Sequence, residues 1–380
     1  MILSTIALQV FSGSDYEIGV QQGHSVRELL HKALEDIPNV EAVKLMKPRL
    51  LPTSLFLALA KRRAVKLLKN DIFEYYPRQA KRLEGIVEGA EIDLSSVLLM
   101  QSMELLIGTP SFRLQGCTSL GFSPPRTSGE TIVAKNFDYL NDLAPYHLTC
   151  ETKPKEGYKT LGCKMAMLPG MLDGMNEYGL TVTYNLAYTT EKPNNFVPLS
   201  MALQEMLETC KSTDEAVKFI IQAKRGGHDA LLMLADAEGN IKAVEIASNH
   251  AAVRETIDNQ IINTNHYLTA EMQQYEIPHN AVYFGKVPRR LLGVRVHESS
   301  EQRLKRGQEL LKGKAKIGED KIVTILRDHG KDDKPSMFTI CRHDEYASTL
   351  RSVIFHPNGK TIKVLYGNPC QSEYSEFTFS

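Results

Sequence analysis

The sequence predicts an α+β protein in which stacked, mainly antiparallel sheets are covered by helices. Three observations carry this. Residues 16 to 107 show helical periodicity, and from Cys117 onward short strand-like segments alternate with turn residues. Those segments follow one another in hairpin order, with helical patterns gathered between them. A doubly wound parallel sheet would instead alternate strand and helix strictly.

Taken in order, the apolar opening "MILSTIALQV" reads as a strand. It is too short, and lacks the basic flank and small-residue cleavage site, for a signal peptide. "TSLFLALAKRRAVKLLKN" repeats apolar residues at three- and four-residue steps, with Pro52 and Thr53 as start signals. "YYPRQAKRLEGIVEGAEIDLSSVLLMQSMELL" holds two further helices, broken near Gly89 and restarted after Asp93, a natural N-cap. Gly108 and Pro110 end the pattern. Strands then follow at "CTSLGF", "TIVAKNF", "YHLTCET", "GLTVTYNLA", "ALLMLAD", "IKAVEIA", "AAVRETI" and "QIINTN", with "SPPRTSGE" and "ADAEGN" as hairpin loops. Helical patterns return at 198–224, 301–313 and 319–328. Strands close the chain at 336–341, 348–356 and 361–367.

Composition narrows the function. Lys+Arg and Asp+Glu balance at 45 each, so no basic field favours nucleic acid or an anionic membrane surface. No apolar run approaches the roughly 18 to 20 residues of a membrane span. The six cysteines (117, 150, 163, 210, 341, 370) are scattered without close pairs, which argues against a disulfide scaffold and against a structural zinc site. The expectation is a cytoplasmic protein with reduced thiols, no metal and no cofactor. There is no Walker loop, dinucleotide fingerprint, HExxH pair or GxSxG elbow. His343 with Asp344, and Asp328 with His329, read as surface or satisfied polar residues.

"RLQGCTSLGF" is different, because it stands where helical texture gives way to strands. Attack by Cys117 on the carbonyl of Gly116 would convert the peptide to a thioester. Hydrolysis would then leave Cys117 as a new N-terminus. Its α-amine, with a reference pKa of roughly 7.7 to 8.0, would serve as base to its own thiol. No histidine is needed for this chemistry.

The wider sequence resembles the penicillin (isopenicillin-N) acyltransferase family, peptidase family C45, a branch of the N-terminal-nucleophile hydrolases. It is more distantly similar to the bile-salt and penicillin-V hydrolases. The likeness runs in order through "LEGIVEGAEIDLSSVLLMQSMELL", "GCTSLGF", "GETIVAKNFDY", "GMLDGMNEYGLTVTYN", "LLMLADAEGNIKAVEIA", "NTNHYL", "ILRDH", "TICRHDEYASTLRSVIFHP" and "GNPC". It implies a four-layer αββα sandwich with a helical leader, residues 1–116, becoming the small subunit when the chain cuts itself between Gly116 and Cys117. The catalytic body would be residues 117–380. The implied roles are Cys117 as nucleophile, Asp138 orienting the new amine, and Asn265 donating its side-chain amide to the oxyanion. Asn185 offers a backbone N–H to the same oxyanion, and Arg351 lines the pocket or faces solvent. Lys135 stands where the bile-salt hydrolases carry arginine. It keeps the charge but loses the planar fork, and either meets a thiolate or substrate carboxylate or lies in solvent.

The implied function is a cysteine amide hydrolase or acyltransferase acting on a linear, non-peptide acyl amide or thioester. Its partners would be that small molecule and its own cleaved leader. Two alternatives remain open on the sequence. One is an uncut thiol hydrolase using His266 or His228 as base; the other is a non-enzymatic scaffold binding an acyl ligand.

Overall fold

The structure is a computed structural model that describes residues 6–106, 116–226 and 229–380. The leader opens with strand β1 (Gln9–Gly13) and continues through helices α1 (Asp15–Ser25), α2 (Arg27–Asp36), α3 (Glu41–Met46), α4 (Thr53–Tyr75), α5 (Pro77–Ala90) and α6 (Leu94–Leu106). Asp93 caps α6 as expected, its carboxylate accepting the Ser96 N–H at 2.9 Å. Gly89 does not break the helix. α5 runs on to Ala90 and ends at Glu91, which takes the left-handed conformation at φ 53°. Gly89 instead serves packing, since a Cβ there would lie 2.1 Å from the Val20 carbonyl oxygen of α1. Gly19 and Gly85 are crowded in the same way, each with a neighbouring backbone oxygen 2.2 Å from the Cβ position. Glycines four apart on both helices therefore let the two backbones touch.

The body contributes β2 (Gly116–Phe122), β3 (Ile132–Leu140), β4 (His147–Pro154), β5 (Thr160–Met165), β6 (Asp173–Asn176) and β7 (Thr181–Leu186). Helices α7 (Leu199–Thr209) and α8 (Thr213–Gln222) follow, then β8 (Ala230–Ala235), β9 (Ile241–Ile246), β10 (Ala251–Glu255) and β11 (Gln260–Asn263). The last part holds α9 (Ala270–Gln273), α10 (Glu298–Leu310), α11 (Glu319–Leu326), β12 (Ala347–His356), β13 (Thr361–Tyr366) and β14 (Ser375–Thr378). The strand expected at 336–341 does not form. There the Thr339 hydroxyl bonds the N–H and C=O of Ser336 and the C=O of Cys341, and these local bonds replace a ladder.

Among the described residues the strands make two sheets. One has eight strands in the order β1-β4-β5-β6-β7-β8-β9-β10; the other has six, β11-β2-β3-β12-β13-β14. Every pairing is antiparallel except β1 with β4. The sheets face each other across a core that joins Leu161, Met175 and Met233 to Val133, Val353 and Phe355. Helices α10 and α11 cover the outer face of the six-stranded sheet, burying Ile322, Ile325 and Leu326 against Leu120, Phe122 and Ile132. The leader helices and α7–α8 join the core that covers the other outer face. Period-two alternation explains this layering: on β8, Leu232 and Leu234 face the helices while Met233 and Ala235 face the second sheet. The result is a four-layer αββα sandwich, the layering that the sequence resemblance implied. Among the described residues no helix is long and apolar enough to cross a membrane.

Candidate active site

The β2–β3 ladder sets Gly116 opposite Asp138 and Cys117 opposite Phe137. Alternation then divides the junction between two faces. Cys117 and Ser119 share the face turned toward the other sheet. Gly116 and Asp138 share the face that meets α10. On that helix Ser300, Arg303, Leu304 and Gly307 form the buried stripe, so an arginine is delivered into the interior. Its guanidinium donates to the Cys117 carbonyl, to Thr118 Oγ1 at 3.0 Å and to Asn265 Oδ1 at 2.8 Å.

Asn265 is the second fixed point. Its Oδ1 accepts the Cys117 backbone N–H at 2.7 Å. Its Nδ2 donates to the Leu186 carbonyl at 2.7 Å, and its own N–H goes to Ser300 Oγ at 2.7 Å. Two donors converge on Oδ1, which fixes the amide orientation: Asn265 reaches Cys117 with its oxygen.

Asp138 is fully buried. Thr349, its neighbour across β12, donates to Oδ1 at 2.7 Å, while Oδ2 has no hydrogen-bond partner. That oxygen lies 2.9 Å from where a Cβ on Gly116 would stand, with Arg342 Nη1 at 2.8 Å and Arg303 Nη2 at 3.2 Å from the same point. A side chain at position 116 would have to displace these charged ends. Burial pushes the Asp138 carboxyl up to about 6, against the pull of Arg303 and Arg342. Burial also raises the Cys117 thiol, opposed by the charge of Lys135 and by the Asp138 N–H.

Lys135 and Arg351 are both buried, so neither is a solvated charge. They converge on Asp173 of β6: Lys135 Nζ donates to Oδ1 at 2.6 Å and Arg351 Nη2 to Oδ2. Lys135 also bonds the Tyr184 carbonyl and lies 5.1 Å from the Phe137 ring, with Arg351 4.8 Å from the same ring. This charge cluster ties the two sheets together beside Cys117. Asn185 makes a second tie, accepting from Ser119 Oγ at 2.5 Å and donating to the carbonyls of Thr264 and Asn263 at 3.0 and 3.2 Å.

Next to the junction is a narrow cavity of about 50 Å³, lined by Met100, Met103, Phe137, Leu172 and Tyr184. Its polar wall is Glu104, which accepts from Ser200 N and Oγ at 2.9 and 2.6 Å at the start of α7. Burial raises this carboxyl to about 7. Leader and body thus line one chamber.

Sequence reasoning missed Arg303, Arg342 and Asp173. For Arg303 the signal was weak, since the stripe it shares with Ser300, Leu304 and Gly307 is buried but carries a single large apolar residue. His266 bonds Ser300 Oγ at 2.6 Å, and no described histidine bonds Cys117. His228 lies outside the described residues.

Solved structures that this chain is similar to include the Caenorhabditis elegans N-acylethanolamine-hydrolyzing acid amidase ortholog, at 15% identity and TM-score 0.44, covering 70% of this chain and 100% of that one. A conjugated bile acid hydrolase from Clostridium perfringens matches at 14% identity and TM-score 0.41, over 69% and 97% of the two chains. Penicillin V acylase from Agrobacterium tumefaciens matches at 13% and 0.40, over 66% and 83%. The family model for acyl-coenzyme A:6-aminopenicillanic acid acyl-transferase matches residues 126–371, which takes in Asp138, Asn185, Asn265 and Arg303 and begins nine residues beyond Cys117. The match spans well over half of the sequence, and the chain belongs to that acyl-transferase family.

Proposed function

We propose that this chain is a cysteine amide hydrolase or acyltransferase that activates itself by cutting the Gly116–Cys117 bond. Residues 1–116 and 117–380 would then be its two subunits. One observation carries the reading. The Cys117 amide nitrogen is held by Asn265 Oδ1, and the buried, unpartnered Oδ2 of Asp138 lies beside the same peptide bond. An α-ammonium freed at Cys117 would fill that vacant acceptor and offset the cost of a buried carboxylate.

Self-cleavage runs as an N-to-S shift. Cys117 Sγ bonds the Gly116 carbonyl carbon, the C–N bond breaks, and the thiol proton goes to the departing nitrogen. Water then cleaves the thioester, leaving the Gly116 carboxylate, the thiol and the α-amine. In turnover the α-amine takes the thiol proton and the thiolate attacks the substrate carbonyl. That proton passes to the leaving amine or thiol. Water or an acceptor amine then releases the acyl group from Cys117. Arg303, on the Cys117 carbonyl, fixes the peptide beside the reacting bond. Asn265 is assigned to holding the amine, because its NH2 is engaged by Leu186. The apolar chamber beside Phe137 suits the hydrocarbon part of a linear acyl amide or thioester.

Incubation with an activated aryl-acetyl or fatty-acyl thioester tests the turnover half. The wild-type body should gain the acyl mass on the peptide starting at Cys117, sensitive to hydroxylamine. An acyl group found elsewhere, or none while substrate is consumed, would sink the assignment.

A further inference from the structure

A second constellation stands apart from the reacting junction. His329 follows α11, Cys341 and His343 lie in the loop before β12, and Cys370 lies in the loop between β13 and β14. One ligand atom from each lies within 4.8 Å of all the others. His343 Nε2 is 3.4 Å from Cys341 Sγ and 3.3 Å from Cys370 Sγ. Ligands placed about 2.0 to 2.3 Å from a tetrahedral Zn2+ stand roughly 3.3 to 3.8 Å apart, so these two separations match neighbouring ligands of such a shell.

The surroundings match too. His329 Nδ1 contacts Asp333 Oδ1 at 3.1 Å, and its Nε2 is buried without a partner. That is the carboxylate–histidine arrangement that presents Nε2 to a metal. The Cys370 N–H points at Cys341 Sγ, as N–H groups do around ligating thiolates. Two thiolates and two neutral imidazoles would cancel the charge of one Zn2+, with two protons released on binding, so the occupied site suits a buried location.

We propose that His329, Cys341, His343 and Cys370 form a structural S2N2 zinc site that pins the loop carrying Arg342. Arg342 lies between two of the ligands, and its guanidinium reaches the cradle around Gly116. Its N–H donates to Thr349 Oγ1 at 3.0 Å, the hydroxyl that also bonds Asp138, and its carbonyl accepts from Asn368 at 2.7 Å. A metal here would stitch the 329–343 loop to the 370 loop and so hold the arginine beside the junction. The sequence argued against zinc because paired-cysteine spacing was the signal sought. The four ligands instead come from positions 41 residues apart at the extremes, and only the fold collects them.

The test is the metal content of freshly purified full-length protein, with Co2+ substitution. The proposal expects about one zinc per chain and, with cobalt, the thiolate charge-transfer and tetrahedral ligand-field bands of an S2N2 site. Cys341→Ser and Cys370→Ser should each lose the metal, Cys210→Ser should keep it, and Asp333→Asn should weaken it roughly 10- to 100-fold. Where a cysteine variant fails to fold, the cobalt spectrum of the native chain decides alone. A reduced, folded chain that takes up neither metal would overturn the proposal. So would metal retained in the Cys341→Ser/Cys370→Ser double variant, or a native Cys341–Cys370 disulfide.

Discussion

At the scale of single residues, the proposed self-cleavage makes Asp138 the group that governs when the junction becomes competent. Its carboxyl is raised from 3.8 to about 6, so the folded chain favours the protonated form below that value. The anion needed to receive the new amine forms only as pH rises through about 6. Self-cleavage of freshly folded chains should therefore slow as pH falls through about 6, measured by gel densitometry. The acid limb of turnover should lie lower, because the ammonium then present pulls the carboxyl down. Asp138→Asn should abolish the limb and most of the cleavage. A processing profile flat from pH 5 to 8 would remove Asp138 from this role. Cys117 stood out in the sequence as glycine–cysteine at a texture boundary, whereas Asp138 was singled out only by the family resemblance. The direction of the Asn265 amide was not legible, since it depends on Arg303 arriving from a helix 38 residues later. Lys135 and Arg351 were left open between pocket and solvent. Their shared partner Asp173 is on another sheet, and no local pattern announces such a pairing.

At the scale of elements, two contacts between segments fix the architecture. The α1–α5 interface rests on glycines, and Gly89→Ala should cost about 1 to 3 kcal/mol in urea unfolding, because the added methyl meets the Val20 carbonyl oxygen. An unchanged midpoint would mean that the helices separate without penalty. The sequence reading took Gly89 as a helix breaker, whereas the structure uses the four-residue spacing of Gly19 with Gly23 and of Gly85 with Gly89 for close packing. The other contact is Asp173 between Lys135 and Arg351. Asp173→Asn would leave two buried cations without a counter-charge and should cost about 3 to 5 kcal/mol. A loss below about 1 kcal/mol would show that water or Tyr184 suffices to hold them. Most strands were legible from their turn residues. β5, β6 and β14 were not; in the first two Gly162, Lys164 and Asp173 break the apolar pattern, although all three are buried.

At the scale of the whole molecule, the leader is part of the sandwich. Leu30, Leu68, Leu83, Ile86 and Leu98 are fully buried in the same core as Leu232 and Val244 of the body. β1 adds a strand to the body's sheet, and Arg82 of α5 pairs with Glu208 of α7 at 2.7 Å. Cutting one bond leaves these contacts intact, so both pieces should co-elute in native chromatography and part only in denaturant. Fragments that separate in buffer would contradict a shared core. The layering was legible from hairpin order and period-two alternation. The joint chamber of Met100, Met103 and Phe137 was not, because it needs the leader folded against the body.

The central claim is that Cys117 cuts the bond before it, and intact mass spectrometry of the purified chain beside a Cys117→Ala variant tests it most directly. The account predicts two wild-type species, one with Cys117 as its first residue, and a single 42.6 kDa species for the variant. One uncut 42.6 kDa chain in both samples, purified folded and near neutral pH, would contradict it.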